Sequence, residues 1–304
     1  KTFEDAIRIT SNLGLCYLWI DSLCIIQDSA QDWQEQSAQM HKVYFYSTCT
    51  ISATAGVDDA AGCFEPRDPL MVLPTRVCLS IDDQNKGYYD LDHESVQVPI
   101  IWSNEIENPP LSRRAWVLQE RLLSPKTIHF TQNQVFWERN CLQASEGFPF
   151  GFRTPVQTPR SHTFGLRSSN IIAPFEESSP VLRKWHHIVR KASGLELAKE
   201  SDKLVAISAI AMEVQPRVNG TCLAGLWSVN LLHQLGWAFD SKSRRPNVYR
   251  ARSWSWASVD GLNCYSRTEY LRQAPPIMAE ILEASTILVS PTSPMGQVKG
   301  VRNI

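Results

Sequence analysis

The sequence predicts an α/β fold: an open, mostly parallel sheet with flanking helices, followed by a mixed α+β C-terminal region. Three observations lead there. Phe3, Ala6, Ile7, Thr10 and Leu13 recur at helical spacing, with Gly14 as the stop. Tyr17–Ile26 is apolar except for Asp21 and Ser22, the pattern of a strand buried on both faces. A second helix and the β-rich run Cys49–Ala55, which ends at Gly56, then repeat the alternation.

Taken in order, Thr2-Phe3-Glu4-Asp5 has the form of an N-terminal capping box, with Asp5 in place of the usual glutamate. After the Tyr17–Ile26 strand, Gln27 and Asp28 fall at its carboxyl end, where ligands gather in open α/β sheets. Ser29-Ala30-Gln31-Asp32 supplies N-caps for a helix reaching about Tyr46. Its stripe is Trp33, Gln36, Met40, Val43 and Tyr44, so Gln36 lies on the buried face and Glu35 is turned about 100° away. Val77–Ile81 and Val96–Trp102 read as strands, and Arg113–Leu123 as a helix stopped by Ser124-Pro125. On that helix Trp116, Gln119, Glu120 and Leu123 share a face. Thr127–Phe130 and Gln134–Glu138 form a hairpin through Thr131-Gln132-Asn133.

Residues 142–180 shift to Pro, Ser, Thr, Arg and Gly, the composition of a loop or linker. Val181–Lys191 is helical by its spacing, and Ser201-Asp202 is placed to cap another helix. Leu226–Trp237 reads as a helix, and Arg252–Ala257 alternates strictly, which puts Trp254 and Trp256 on one face of a strand. Thr286–Ser290 reads as a short strand in a terminal stretch. The domain expectation is 1–141 as an α/β domain, 142–180 as a linker, 181–283 as a region packing on the first, and 284–304 as a tail.

The totals exclude several classes. With 30 Lys and Arg against 31 Asp and Glu, the chain has no electrostatic footprint for nucleic acid. No apolar stretch reaches the roughly 18–20 residues that span a bilayer. Eight cysteines stand dispersed, without zinc-like spacing, and no secretory leader precedes them, so a reduced, cytoplasmic setting is expected. No metal or resident cofactor is implied. His129, His186, His187 and His233 form no triad or metal set by their spacing, and Ser22-Leu23-Cys24 lacks the glycines of a nucleophile elbow.

Leu15–Asp28 with Asp32-Trp33, Met40 and Tyr44 resembles the central block of the fungal heterokaryon incompatibility (HET) domain. Arg114–Ser124 resembles its downstream block. Ser201–Leu204, Ala224–Trp227 and Tyr249–Ala257 are similar to the region that commonly follows it in filamentous fungi. The family's first block, a strand ending in a Ser-Tyr-x-Trp-Gly type motif, would lie before Lys1, so the chain reads as a fragment. A glutamate is usual three residues past the tryptophan; here that position is Gln36, with Glu35 beside it.

The resemblance implies allorecognition, in which HET domains trigger cell death when incompatible strains fuse, through protein partners or self-association. It also implies a distant likeness to TIR domains, some of which hydrolyse NAD with a glutamate in a Trp-x-x-Glu element. As a nucleotide hydrolase the chain would take NAD as substrate, with Glu35 and Glu120 as candidate catalytic groups. Asp21, Gln27, Asp28, Trp33, Gln36, Arg114, Trp116 and Gln119 would then line the pocket. An amide at Gln36 cannot act as a general base, which argues against that chemistry. A degenerate relative is the third reading. Against these stand plainer roles: core packing for Trp33, Met40 and Val43, a turn or cap for Asp28, a surface ion pair for Glu120, and a buried pair of Asp21 with Arg114 or Arg121.

Overall fold

The structure, a computed structural model, describes residues 1–69, 72, 75–80, 86–91, 100–139, 142–152, 180–240, 243–247, 249–261, 263–265, 279–289 and 295–300. The chain divides into two compact units. The first comprises Lys1–Trp33, Lys42–Arg113 and Ser124–Ser161; the second comprises Gln34–His41, Arg114–Leu123 and His162–Ile304.

In the first unit, helix α1 (Thr2–Asn12) ends where expected, with Gly14 at φ +70°. The capping box does not form. Thr2 Oγ1 instead accepts from Gly62 N, and Asp5 Oδ2 from Cys63 N, so both side chains tie the helix to a loop. The strand expected at Tyr17–Ile26 is also absent. Residues 15–20 have no regular structure, and Asp21–Cys24 form a single helical turn, α2. Apolar content marked this run as core, but no strand among the described residues pairs with it, and Tyr17, Leu23 and Ile26 are 94%, 65% and 59% exposed. Only Ile25 is buried, while Trp19 meets Tyr44 edge to face at 5.8 Å.

Helix α3 (Ala30–Tyr46) keeps its expected bounds, and Ser29 caps it by accepting from Asp32 N. Strand β1 (Thr50–Ser52) follows, then a hairpin of β2 (Thr75–Ser80) and β3 (Lys86–Leu91). Residues 100–102 are helical and run into a π-helical turn at Ser103–Glu107, which corrects the strand expected at Val96–Trp102. Residues 96–99 lie outside the described residues. A 3₁₀ turn at Pro110–Arg113 closes this segment of the first unit, and α4 (Ala115–Leu123) belongs to the second.

The central sheet of the first unit runs β1–β4–β5–β6, where β4 is Lys126–Phe130, β5 Val135–Arg139 and β6 Leu142–Ser145. Strands β1 and β4 are parallel; β4–β5 and β5–β6 are antiparallel. The α/β class holds, and the sheet is mixed rather than mostly parallel. Strand β6 begins inside the stretch expected as linker; residues 153–179 lie outside the described residues.

Register sorts the sheet's side chains into two faces. Ile51, Ile128, Phe130, Val135 and Trp137 share one face, and they cluster with Ile9 of α1 and Cys63. Thr50, Ser52, Thr127, His129, Phe136, Glu138, Gln143 and Ser145 share the other. There the apolar packing is confined to Phe136 with Trp102, Ile106 and their neighbours. One face is a core; the other is a polar stripe.

In the second unit, α5 (Pro180–Ser193) and α6 (Ser208–Val218) supply Trp185, Ile188, Val189, Ile210 and Val214 to one large apolar cluster. The expected helix after Ser201-Asp202 starts later. Two 3₁₀ turns, Glu200–Lys203 and Val205–Ile207, intervene. Leu226–Trp237 is not a helix either. Strands β7 (Cys222–Leu223) and β8 (Leu226–Trp227) make a hairpin, followed by a short turn α7 (Leu231–Gln234) and strand β9 (Trp237–Phe239). The two hairpin residues Ala224 and Gly225 have φ of 49° and 87°, the primed geometry that tight hairpins prefer.

Both indoles of Trp185 and Trp256 donate to Gly225 O, at 3.1 and 3.0 Å. A Cβ at Gly225 would stand 2.6 Å from Trp256 Nε1, so glycine is required twice over. This corrects the strand expected at Arg252–Ala257. Ser255, far from pointing to solvent, is fully buried; it donates to Ala224 O and accepts from Ala257 N, which starts a 3₁₀ turn at Trp256–Ser258. Strand β10 (Asn263–Tyr265) pairs with β9. The stretch expected as a tail forms the pair β11 (Ile287–Leu288) and β12 (Val298–Gly300), and buries Met295 and Val298 in the second unit's cluster.

Candidate functional site

The sequence-derived candidates separate between the two units. Asp21, Gln27, Asp28 and Trp33 belong to the first; Glu35, Gln36, Arg114, Trp116, Gln119 and Glu120 belong to the second. Asp21 is exposed and its Oδ1 accepts from the adjacent Ser22 N, so it is not a buried carboxylate that requires a cation. Gln27 is exposed, and its amide donates to Ile25 O at 2.9 Å, which closes the turn after α2. Asp28 is exposed, and the neighbouring Asp32 carboxylate accepts from Ile26 N. Because the preceding strand does not form, these polar residues do not mark a strand's carboxyl end.

On α3 the helical phase is as expected: Met40 is buried, Trp33 and Gln36 are half-buried, and Glu35 is exposed. On α4, Arg114 is exposed, while Trp116 and Glu120 are half-buried. Gln119 is buried, and its Oε1 accepts from Ala209 N at 3.1 Å. That satisfies an otherwise orphaned donor in the first turn of α6. Gln119 has a structural task.

The group that the sequence reading missed lies on the polar face of the central sheet. His129 sits on β4 with its Nε2 3.3 Å from Glu138 Oε2 on β5 and its Nδ1 3.3 Å from Thr54 Oγ1. Thr54 Oγ1 is in turn 2.9 Å from Ser52 Oγ. Thr54, His129 and Glu138 are buried, and Ser52 is half-buried. Trp102 meets the imidazole edge to face at 6.5 Å and Phe136 at 5.7 Å. The tautomer that satisfies both ring nitrogens has Nε2–H donating to Glu138 and Nδ1 accepting from Thr54. Thr50 Oγ1 and Ser124 Oγ, 2.5 Å apart, extend the polar stripe away from it.

The arrangement arises from strand pairing. β1 and β4 are parallel with Ser52 opposite His129, so Ser52 ends β1 and Thr54 follows two residues on. Parallel strands that end together are where α/β sheets place functional polar groups. The signal was present in the sequence as period-2 polar residues, Thr50-x-Ser52-x-Thr54, Thr127-x-His129 and Phe136-x-Glu138. It could be read only once the strands were known to be neighbours.

A second polar group occupies the second unit. Arg250 Nε donates to Ala257 O at 2.6 Å, its Nη1 to Glu200 O at 3.0 Å, and its Nη2 to Asp260 Oδ1 at 2.7 Å. Lys203 Nζ reaches Val259 O at 2.5 Å and Asp260 Oδ1 at 3.3 Å, above the Trp256 ring. Burial, then the adjacent Arg250 cation, lowers the Lys203 amine to about 8. Burial alone would raise the Asp260 carboxyl, but the Arg250 hydrogen bond and the two cations bring it below the usual carboxylate range. These hydrogen bonds go to loop carbonyls and to Asp260, so the cluster fastens loops together. Burial also pushes the Cys63 and Cys222 thiols up to about 11, which makes them unreactive, whereas Cys16 and Cys24 are exposed.

Among the described residues no group of three or more His, Cys, Asp or Glu is placed to hold a metal ion. No helix among them is long and apolar enough to cross a membrane.

The first unit is thus an α/β domain built on a four-stranded mixed sheet with one apolar and one polar face. The family model described as "Heterokaryon incompatibility protein (HET)" matches residues 1–120. Residues 1–120 are thus similar to a heterokaryon incompatibility domain. No curated protein and no solved structure matches it.

Proposed function

We propose that the chain acts in fungal non-self recognition, signalling or executing incompatibility cell death through contact with another protein. The observation that supports this is the exposure of Tyr17, Leu23 and Ile26 within the domain's own signature stretch. Large apolar side chains grouped along some ten residues are costly to leave in water, and such groups mark interaction surfaces more often than they occur idly. The stretch from Leu15 to Asp28 is the contact in this reading.

The test is expression of the chain in a fungal host beside a Tyr17→Ser, Leu23→Ser, Ile26→Ser triple variant. Growth arrest by the parent and its release in the triple variant, at unchanged melting temperature, is the expected result. Arrest of equal strength in both would overturn the assignment of the contact to this stretch, and indifference to the parent would overturn the function.

Hydrolysis of NAD is the alternative activity. It places the work on Glu35 or Glu120, on α3 and α4. Nicotinamide release by the parent chain, lost in Glu35→Ala or Glu120→Ala, is the outcome that would replace the interaction reading.

A further inference from the structure

The Ser52–Thr54–His129–Glu138 group has an order that structural packing alone does not demand. A buried carboxylate lies against an imidazole, the imidazole against a buried hydroxyl, and that hydroxyl against a second one that is only half-buried. Polar groups placed at random on a buried face pair off; these four form a line that runs from the interior towards solvent. With Ser52 donating to Thr54 and Thr54 to Nδ1, the hydroxyl protons run from Ser52 towards the ring; the Ser52 carbonyl, 3.3 Å from Thr54 Oγ1, is the competing acceptor. The line ends at the carboxyl end of β1, beside its parallel neighbour β4.

We propose that Ser52 is a nucleophile for acyl transfer, activated through Thr54 by His129, with Glu138 holding the imidazole. Thr54, His129 and Glu138 act as positioning and proton-carrying groups, because they are buried away from any substrate. The substrate class is a carboxylic ester, the acyl donor on which an activated serine acts.

The step balances with groups on this chain. Ser52 Oγ attacks the ester carbonyl carbon and a C–O bond forms. The Ser52 proton moves to Thr54 Oγ1 as the Thr54 proton moves to His129 Nδ1, which leaves an imidazolium paired with Glu138. The tetrahedral intermediate collapses, the C–O bond to the leaving alcohol breaks, and the relay returns the proton to that oxygen. Water attacks acyl-Ser52 by the same route in reverse, releases the carboxylic acid and restores the hydroxyl.

The experiment treats the whole chain with a fluorophosphonate probe and, separately, with p-nitrophenyl acetate. Attack by Ser52 forms a P–O bond and expels fluoride, so peptide mass analysis should place the adduct on Ser52, and ester hydrolysis should saturate. Ser52→Ala should abolish both. Thr54→Val and His129→Gln should lower labelling about 100-fold, the usual contribution of general base assistance, while Thr54→Ser retains it. Melting temperatures of all variants separate lost chemistry from lost folding. Should His129→Gln fail to fold, the Thr54→Val and Thr54→Ser pair decides. A folded parent with no adduct on Ser52 overturns the proposal, as does equal labelling of Thr54→Val. The line of groups would then be a register-fixing network in the sheet.

Discussion

The second unit gathers Trp185, Trp227 and Trp256 into one continuous apolar cluster with two long helices, whereas the first divides its apolar residues between the two sides of a sheet. Polar groups follow the same contrast. In the second unit Arg250 and Lys203 spend their donors on carbonyls and Asp260, closing the loops around Trp256. In the first, Ser52, Thr54, His129 and Glu138 lie within hydrogen-bond reach of one another in sequence. Cohesion is concentrated in the second unit. The first divides its core into two smaller clusters and leaves Tyr17, Leu23 and Ile26 exposed.

Four measurements bear on that contrast, ordered by expected effect. Trp227→Ala, in the large cluster, should cost about 3–5 kcal/mol in urea denaturation, the range for deleting a buried aromatic. Phe136→Ala, in the small cluster, should cost about 3 kcal/mol, the bottom of that range. Equal costs would erase the asymmetry.

Arg250→Ala comes next, at about 3 kcal/mol, because it strands two carbonyls while Asp260, partly exposed, keeps Lys203. A loss below 1 kcal/mol would show that the cluster fastens nothing.

The third is a pH slope. The Lys203 amine is lowered from 10.5 to about 8, so between those pH values the unfolded chain holds a proton that the folded chain has lost. Stability should therefore rise with pH across that window, and Lys203→Met should flatten the rise. An unchanged slope in the variant would place its origin elsewhere.

The smallest effect belongs to the Tyr17→Ser, Leu23→Ser, Ile26→Ser variant. Its stability should stay within about 0.5 kcal/mol of the parent, since exposed side chains contribute little to folding. A larger loss would mean that this stretch is part of the folded interior.

How much was legible in advance differs by element. α1, α3, α4 and α5 were readable because helical periodicity, a serine cap and a stop signal all lie within one segment. β4 and β5 were readable for the same reason, being joined by a three-residue turn between apolar runs. Tyr17–Ile26 failed because apolar content measures a residue's preference for burial and not whether a partner strand is there to provide it. Arg252–Ala257 failed because Ser255 found a carbonyl acceptor inside, which alternation assumes it will not. Among the expected site residues, the phases of Gln36, Glu35 and Gln119 on their helices were legible, since phase is local.

By itself, the sequence determined the α/β class and the bounds of α1, α3, α4 and α5 to within about two residues, because both depend on patterns within a dozen residues. Only the tertiary structure decided that the signature stretch around Asp21 lies open, that the sheet has one apolar and one polar face, and that Ser52, Thr54, His129 and Glu138 form a line. The reason is physical. A hydrogen bond between residues 75 positions apart, as between Thr54 and His129, is set by which strands pair and in what register. Neither is written in the local spacing of either residue.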